Sequence, residues 1–484
     1  MNIKSKKTRK NIIKQVTKNG ECYRENGFNY VSVKGSPKER GRAFGEFCAN
    51  DFKDVQEMLH FVCEEEYGRS WDFFIDAGRK YLKPTIQSVY PEFYQEMEGL
   101  AEGINKAGGK TDVDEVLAWN NYFTLLDSWY STYNDGKAGI KKSEGGSQDR
   151  CSAFIATGSW TKDGKIIVAH NSFSNFLDGQ YMNYVLDTTP EKGHRILMQT
   201  CAGWIWSGTD FFITGAGIIG TETTIGGFLP YENNLPIACR IRNAMQYGDT
   251  LDDYVKILLD GNSGDYANSW LFGDINTNEI LRLELGLKYH NVERTKDGYF
   301  VGFNSTYDPK IRNLECANSG FNDVRRHQGA RKVRLTDLME EHKGKLTVNL
   351  AKELIADHYD VYLSKINKCS RTVCSHYDLD GREYMSQSDR PLPYQPRGAM
   401  DGFVTDSTNA KNMSFFGRWG SSCGTPFIAK EFFKKHRQWD QYAPYLHDRP
   451  SQPWTEFTID NKRKPKNNTL RRKSNDKNRM VSMI

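Results

Sequence analysis

The chain has 484 residues, 38% of them hydrophobic and 13% aromatic, which supplies a large core and excludes a disordered or low-complexity protein. No run of about 18 apolar residues occurs, so no transmembrane segment is expected, and the ten scattered cysteines lack the density of a disulfide scaffold. The net charge of +5 sits at the ends: residues 1–18 hold seven Lys/Arg and no acid, residues 461–484 hold nine and one Asp, and the acidic body between them argues against a folded nucleic-acid-binding domain.

In chain order, residues 1–20 read as a basic, disordered arm. Its stretch "MNIKSKKTRKNIIKQVTKNG" has charge but no apolar h-region, so no ordinary signal peptide is expected and the compartment is left open. Residues 21–134 read as a mainly helical N-terminal part. In "PKERGRAFGEFCANDFKDVQEMLHFVCEEEY", Phe44, Phe47, Phe52, Val55, Leu59 and Val62 recur mostly at three- and four-residue spacing. "YPEFYQEMEGLAEGINKAG" adds a second helix that stops at Gly108 and Gly109, and Asp112 or Asp114 caps a third. Residues 135–150, "DGKAGIKKSEGGSQDR", lack periodicity and read as an exposed, cleavable linker.

From residue 151 to about 455 the texture changes. "CSAFIATGSW", "KIIVAH", "YMNYVLDT", "RILMQTCAG", "DFFITGAGIIGTETTI", "ANSWLFGDI", "EILRLEL" and "GYFVGFN" read as short strands, with turns at Asp163-Gly164 and Asp297-Gly298. Helices are expected at about 238–260 and 346–363, and residues 456–484 as a basic disordered tail. Antiparallel strands with a few interposed helices predict a layered α+β fold rather than regular βαβ alternation.

Several motifs are tempting and incomplete. "GAGIIG" (215–220) is formally GxGxxG, but "TETTIGGFLPYENN" follows where a phosphate-binding helix is required. Cys369, Cys374 and His376 in "CSRTVCSHYD" lack the tight CxxC pair and the matching second pair of a zinc site, so no metal is expected. "GSSCG" (420–424) and "GNSGD" (261–265) fail as a nucleophile elbow. Asn304, Asn412 and Asn467 sit in glycosylation sequons.

Cys151 stands at the border between the polar run and the first strand. A cut between Arg150 and Cys151 gives the cysteine a free α-amine of pKa near ~8 beside its thiol, so that one residue supplies nucleophile and base. If the strand turns at about Thr161–Gly164, the returning strand brings His170 and Asn171 next to Cys151. On pattern alone, a buried structural cysteine at a strand start remains the stronger reading.

The blocks "CSAFIATGSWTKDGKIIVAHNSFSNF", "SGTDFFITGAGIIGTETTI", "YANSWLFGDINTNEILRLELGL" and "RTKDGYFVGFN" also resemble the phospholipase B-like proteins and the related self-processing acyltransferases and hydrolases of penicillin acyltransferase type. "GSPKERGRAFGE", "RTVCSHYDLD", "DGFVTDSTNA" and "RWGSSCGTPF" extend the resemblance over roughly residues 30–455. It implies a four-layer αββα N-terminal-nucleophile sandwich, cleaved into a shorter N-terminal chain and a longer one beginning at Cys151. It further implies Cys151 as nucleophile, His170 and Asn171 as orienting groups and the Asn268 side chain as an oxyanion donor. Backbone N–H groups near Glu222 and Thr223 are the second donor, and Arg371 has a processing or substrate-binding role. The expected substrate is a small acyl-amide or a lipid, with no cofactor. Two other readings are a non-catalytic binding or structural protein that keeps the fold, and a binder of anionic surfaces acting through the basic tails.

Overall fold

The computed structural model describes residues 14–133, 150–317, 320–381 and 392–459; the terminal basic segments and most of the expected linker lie outside them. Within the described residues the expected arm is shorter than predicted. Lys14–Thr17 forms strand β1, which pairs with β2 (Gly20–Glu25), and β2 pairs with β3 (Phe28–Gly35). The N-terminal part is thus not helical throughout.

Its longest helix, Pro37–Tyr67, starts at a capping box between Ser36 and Glu39 and ends at Gly68, whose φ of 65° is the left-handed stop. It packs on the helix Pro91–Lys106 through glycines on both sides. A Cβ at Gly41 would stand 1.9 Å from the Glu96 carbonyl, and one at Gly103 would stand 2.1 Å from the Arg42 carbonyl, so the backbones approach as only glycine permits.

Strands β4 (Cys151–Thr157) and β5 (Ile167–Asn175) form the expected hairpin. There follow β6 (Tyr184–Pro190), β7 (Ile196–Thr200), β8 (Phe211–Thr214), β9 (Ile218–Thr224), β10 (Asn268–Asp274), β11 (Glu279–Leu285), β12 (His290–Thr295) and β13 (Gly298–Gly302). The Gly-rich "GAGIIG" is the turn between β8 and β9, and a strand follows it, not a helix. A short hairpin, β14 (Tyr359–Asp360) and β15 (Lys365–Ile366), precedes β16 (Arg397–Ala399), β17 (Asp401–Asp406), β18 (Ser414–Trp419) and β19 (Thr455–Thr458). The last strand carries the ordered body past the boundary expected at 455.

Ten strands form one sheet in the order β1-β2-β3-β6-β7-β8-β9-β10-β11-β12, antiparallel except for the parallel pair β3–β6. The second sheet runs β13-β4-β5-β17-β18-β19, with β16 also on β5. The turn at Asp297 therefore passes the chain from one sheet to the other.

The sheets face each other. Phe211 of the first stacks on Phe403 of the second at 5.4 Å, and Ile155 and Ile166 close on Gly273. Side chains alternate along β4 and β5, as a strand requires. Ala153, Ile155 and Val168 enter the core between the sheets, whereas Phe154, Ala156, Ile167 and Ala169 enter a second core with the helices His327–Glu341 and Val348–Leu354. Burial on both faces explains why these strands read as nearly continuous apolar runs.

Two helical expectations change. The helix at 238–260 is two, Ile237–Tyr247 and Leu251–Leu259, because Gly248 interrupts it and Thr250 caps the second. The helix at 346–363 is only Val348–Leu354, and His327–Glu341 was not expected, since charge interrupts its apolar spacing. The fold is mixed α+β, and among the described residues no helix is long and apolar enough to cross a membrane.

Candidate active site

Cys151 is the first residue of β4 and is completely buried. The register pairs Cys151 with Ser172 and Ala153 with His170, so the hairpin brings the "AHN" segment beside the cysteine. The Cys151 thiol donates to Asp210 Oδ2 at 3.7 Å. The donor atoms of Cys151, His170 and Asp210 all lie within 4.8 Å of one another.

The peptide bond between Arg150 and Cys151 is held at both polar atoms. The Phe173 N–H donates to the Arg150 carbonyl, and the Cys151 N–H donates to Asn304 Oδ1 at 3.2 Å. Arg331, buried in the helix His327–Glu341, donates to the Cys151 carbonyl and, at 2.8 Å, to the same Asn304 oxygen. Asn304 Nδ2 in turn donates to the Thr224 carbonyl at 2.7 Å. The Arg150 side chain pairs with Asp127 at 2.8 Å and Asp178 at 3.6 Å, and its guanidinium lies 4.2 Å from the Phe123 ring centre. Arg150, expected at the end of an exposed linker, is therefore buried.

The electrostatics are set by carboxyl groups in a buried site. Burial, then Glu222, Asp210 and Asp401, push the Cys151 thiol well above its usual range, and Arg150 opposes them. Burial raises Asp210 to about 6 against hydrogen bonds from Glu222, Tyr266 and Cys151. Glu222 is raised well above the ordinary carboxylate range by burial and by Asp210. Two close carboxyl groups cannot both ionise in such a place, so they share one proton, with Glu222 holding it and Asp210 ionised near neutrality. The Tyr266 hydroxyl donates to Asp210 Oδ2 at 3.0 Å. Burial lowers His170 to about 3, so its imidazole stays neutral.

Asn268 opens β10 opposite Thr224 and is fully buried, and neither atom of its amide has a partner among the described residues. Glu222 pairs with Trp270 and so shares that face of the sheet with Asn268, whereas Thr223 points the other way, against Gly302. β8 ends its pairing with β9 at Phe211–Thr221, which leaves the Glu222 backbone to meet His170.

Asn171 faces away from the Cys151 thiol. Its Oδ1 accepts from the Ser152 N–H at 3.2 Å, and its Nδ2 donates to the carbonyls of Ile355 (2.8 Å) and Val373 (3.2 Å) and to Ser422 Oγ (3.2 Å). Arg371 gives its guanidinium hydrogen bonds to Asp360, the shortest at 2.6 Å, and none of those described reaches Cys151.

Sequence reasoning missed Asp210, Tyr266, Asn304 and Arg331. The first three have left-handed φ angles of 72°, 48° and 63°, strained for residues other than glycine and held here around the cysteine. All three lie inside or beside blocks that carry the resemblance, but nothing in their spacing marks them as partners of a residue 59 to 153 positions away.

A second group of donors lies on the far side of β5. His358, Cys374, His376 and Cys423 place one donor atom each within 4.8 Å of the others. Cys369 is not among them, and donates to Asp360 Oδ2 at 3.4 Å.

No family model matches the chain. An "Uncharacterized protein" of Archaeoglobus fulgidus is 23% identical over 244 residues, 49% of this chain and 40% of that protein. "Putative phospholipase B-like 2" of Bos taurus is 29% identical over 144 residues, 26% of this chain and 24% of the bovine protein. The human protein of that name is 30% identical over 159 residues, 28% of this chain and 26% of its own length. The matches thus span well under half of each relative, and over part of its length this chain is similar to phospholipase B-like proteins.

Proposed function

We propose that the chain is a self-processing N-terminal-nucleophile hydrolase or acyltransferase with an αββα sandwich, cleaving acyl-amide or acyl-ester bonds through a thioester on Cys151. The observation that carries this reading is the clamped 150–151 bond: its carbonyl on the Phe173 N–H, its nitrogen on Asn304, and the Cys151 thiol on Asp210.

In the intact chain the Cys151 nitrogen is an amide and cannot act as a base, so Asp210 takes the thiol proton. Sulfur attacks the Arg150 carbonyl carbon, with the Phe173 N–H donating to the developing oxyanion. The C–N bond breaks, and the proton passes from Asp210 to the departing nitrogen. Water then hydrolyses the thioester, releasing the Arg150 carboxylate and restoring the thiol. The new α-amine inherits the place of the amide at Asn304 Oδ1 and becomes the base for later substrates. The unpartnered Asn268 amide and the backbone at Glu222–Thr223 supply the oxyanion contacts for the substrate carbonyl. His170, neutral, orients the group. No cofactor enters this scheme, and Arg371, occupied by Asp360, has no part in it. The partial similarity to phospholipase B-like proteins favours lipid acyl esters or amides as substrates.

Intact mass spectrometry of wild type and Cys151→Ala tests the reading. Wild type should appear as two fragments meeting at 150/151 and the variant as one chain; a single uncut chain in both overturns it. That outcome would favour a non-catalytic protein with this fold, which the complete burial of Cys151 in the intact chain also suits.

A further inference from the structure

We propose that His358, Cys374, His376 and Cys423 form a buried structural zinc site on the side of β5 opposite Cys151. The four donors come from three segments: the stretch before β14, the loop preceding β16 and the loop after β18. Two thiolates and two imidazoles are a zinc donor set, and four protein ligands without an open position mark a structural rather than a catalytic ion.

The spacing agrees with one ion. His376 Nε2 lies 3.5 Å from Cys374 Sγ and 3.4 Å from Cys423 Sγ. Zinc–sulfur and zinc–nitrogen bonds at a tetrahedral angle put sulfur and nitrogen about 3.6 Å apart. Hydrogen bonds between a thiol and an imidazole have no reason to repeat that edge twice on one nitrogen. His358 Nε2 is buried without a hydrogen bond of good geometry, its ring facing the Cys423 sulfur and lying 5.2 Å from the His376 ring. A metal ion at the centre of the four gives His358 Nε2 and the sulfurs around it a common partner.

The groups around the donors are those a zinc site needs. His376 Nδ1 lies 3.5 Å from an Asp378 carboxylate oxygen and His358 Nδ1 3.4 Å from Thr372 Oγ1, so each ring has a polar group at Nδ1 and turns Nε2 inward. Cys423 Sγ accepts from the Thr425 N–H at 3.4 Å and stands 3.0 Å from Thr425 Oγ1 and 3.4 Å from Ser421 Oγ, as a thiolate prefers. Phe173, Ala399 and the two cysteines form one apolar cluster that shields the site. Binding releases the two thiol protons to solvent, and two thiolates with one divalent ion leave the buried site neutral.

Asn171 gives the site its place in the molecule. Its amide holds Ile355, Val373 and Ser422, the last two directly before Cys374 and Cys423 and the first three residues before His358. The same side chain accepts from Ser152, next to Cys151. The ion would therefore fix the outer loops against the strand whose other face carries the cysteine.

The site is independent of any activity at Cys151, and its test needs none. Full-length protein purified without chelator or nickel resin should carry one zinc per chain by elemental analysis, and Cys423→Ser and His376→Ala should each lose it. Because those variants risk misfolding, wild type stripped of metal and reloaded with cobalt gives the decisive reading. Tetrahedral d–d bands and a thiolate-to-cobalt charge-transfer band are expected, with a thermal midpoint raised by several degrees over the stripped form. Metal-free protein that takes up no cobalt overturns the proposal, and so does a Cys374–Cys423 disulfide in a non-reduced peptide map.

Discussion

The two faces of the β4–β5 hairpin are built from neighbouring residues and treat their polar groups in opposite ways. On the outer face, Asn171 makes four hydrogen bonds and Arg331 ties Ser152 and the Cys151 carbonyl to a helix. On the inner face and the sheet beyond it, Cys151, Asp210, Glu222, Tyr266 and His170 are bonded to one another, and the whole Asn268 amide is buried without a partner among the described residues. A buried unsatisfied polar group costs about 1–3 kcal/mol. On the proposed reading, an amide that lacks a protein partner is available to a substrate or to a developing oxyanion. On that reading the outer face holds the scaffold still and the inner face carries the chemistry.

The strongest way to break this contrast is Asp210→Asn. The amide cannot take the thiol proton, so self-cleavage should slow by about 10²–10⁴-fold, the usual worth of a general base. Removing one of two crowded carboxyl groups should also raise unfolding stability. Cleavage at the wild-type rate, followed by mass over time, would remove Asp210 from the mechanism.

Next in size, Asn268→Ala should cost about 2.7–4 kcal/mol of transition-state stabilisation, a fall of about 10²–10³ in kcat. It should do so with little loss of stability, since the amide has no partner to lose among the described residues. Acyl-ester and acyl-amide turnover by the cleaved form measures this, and a variant that unfolds early instead points to a structural amide.

Asn171→Ala should show the opposite pattern. It strands the Ser152 N–H and the carbonyls of Ile355 and Val373, and should lower unfolding stability by about 3 kcal/mol in urea titration. If stability is unchanged and turnover collapses, the assignment of the two faces is wrong.

The smallest effect is a change of slope with pH. Burial raises Asp401, which accepts from the Ser172 N–H and from Gln199, to about 7. Its folded form keeps a proton that the unfolded chain has already lost. Its stabilising contribution is therefore full below the ordinary carboxylate range and is lost as pH rises through about 7. Wild type minus Asp401→Asn, compared across that window by chemical denaturation, should fall with rising pH; a flat difference would mean that Asp401 is ionised throughout.

Much of this was legible in the chain itself. The hairpin from Cys151 to His170 followed from two apolar runs around Asp163-Gly164, because strand pairing across a short turn is local. The periodic helix from Pro37 and the strand in place of a helix after the Gly-rich turn of "GAGIIG" were readable for the same reason. Asn171 stands beside Cys151 across the hairpin, opposite Ser152, but the alternation of β5 turns its side chain to the other face, and that depends on which neighbour each face meets.

By itself, then, the sequence determined how the local elements form and that His170 returns beside Cys151, since propensity, capping and turn geometry act over a few positions. Only the tertiary structure decided which distant residues meet. Asp210, Asn304 and Arg331 reach Cys151 from 59, 153 and 180 positions away, and Cys423 reaches His376 from 47. No period in a sequence encodes such distances. They are set by how two sheets and their helices pack, and by the free energy of burying each polar group beside a partner.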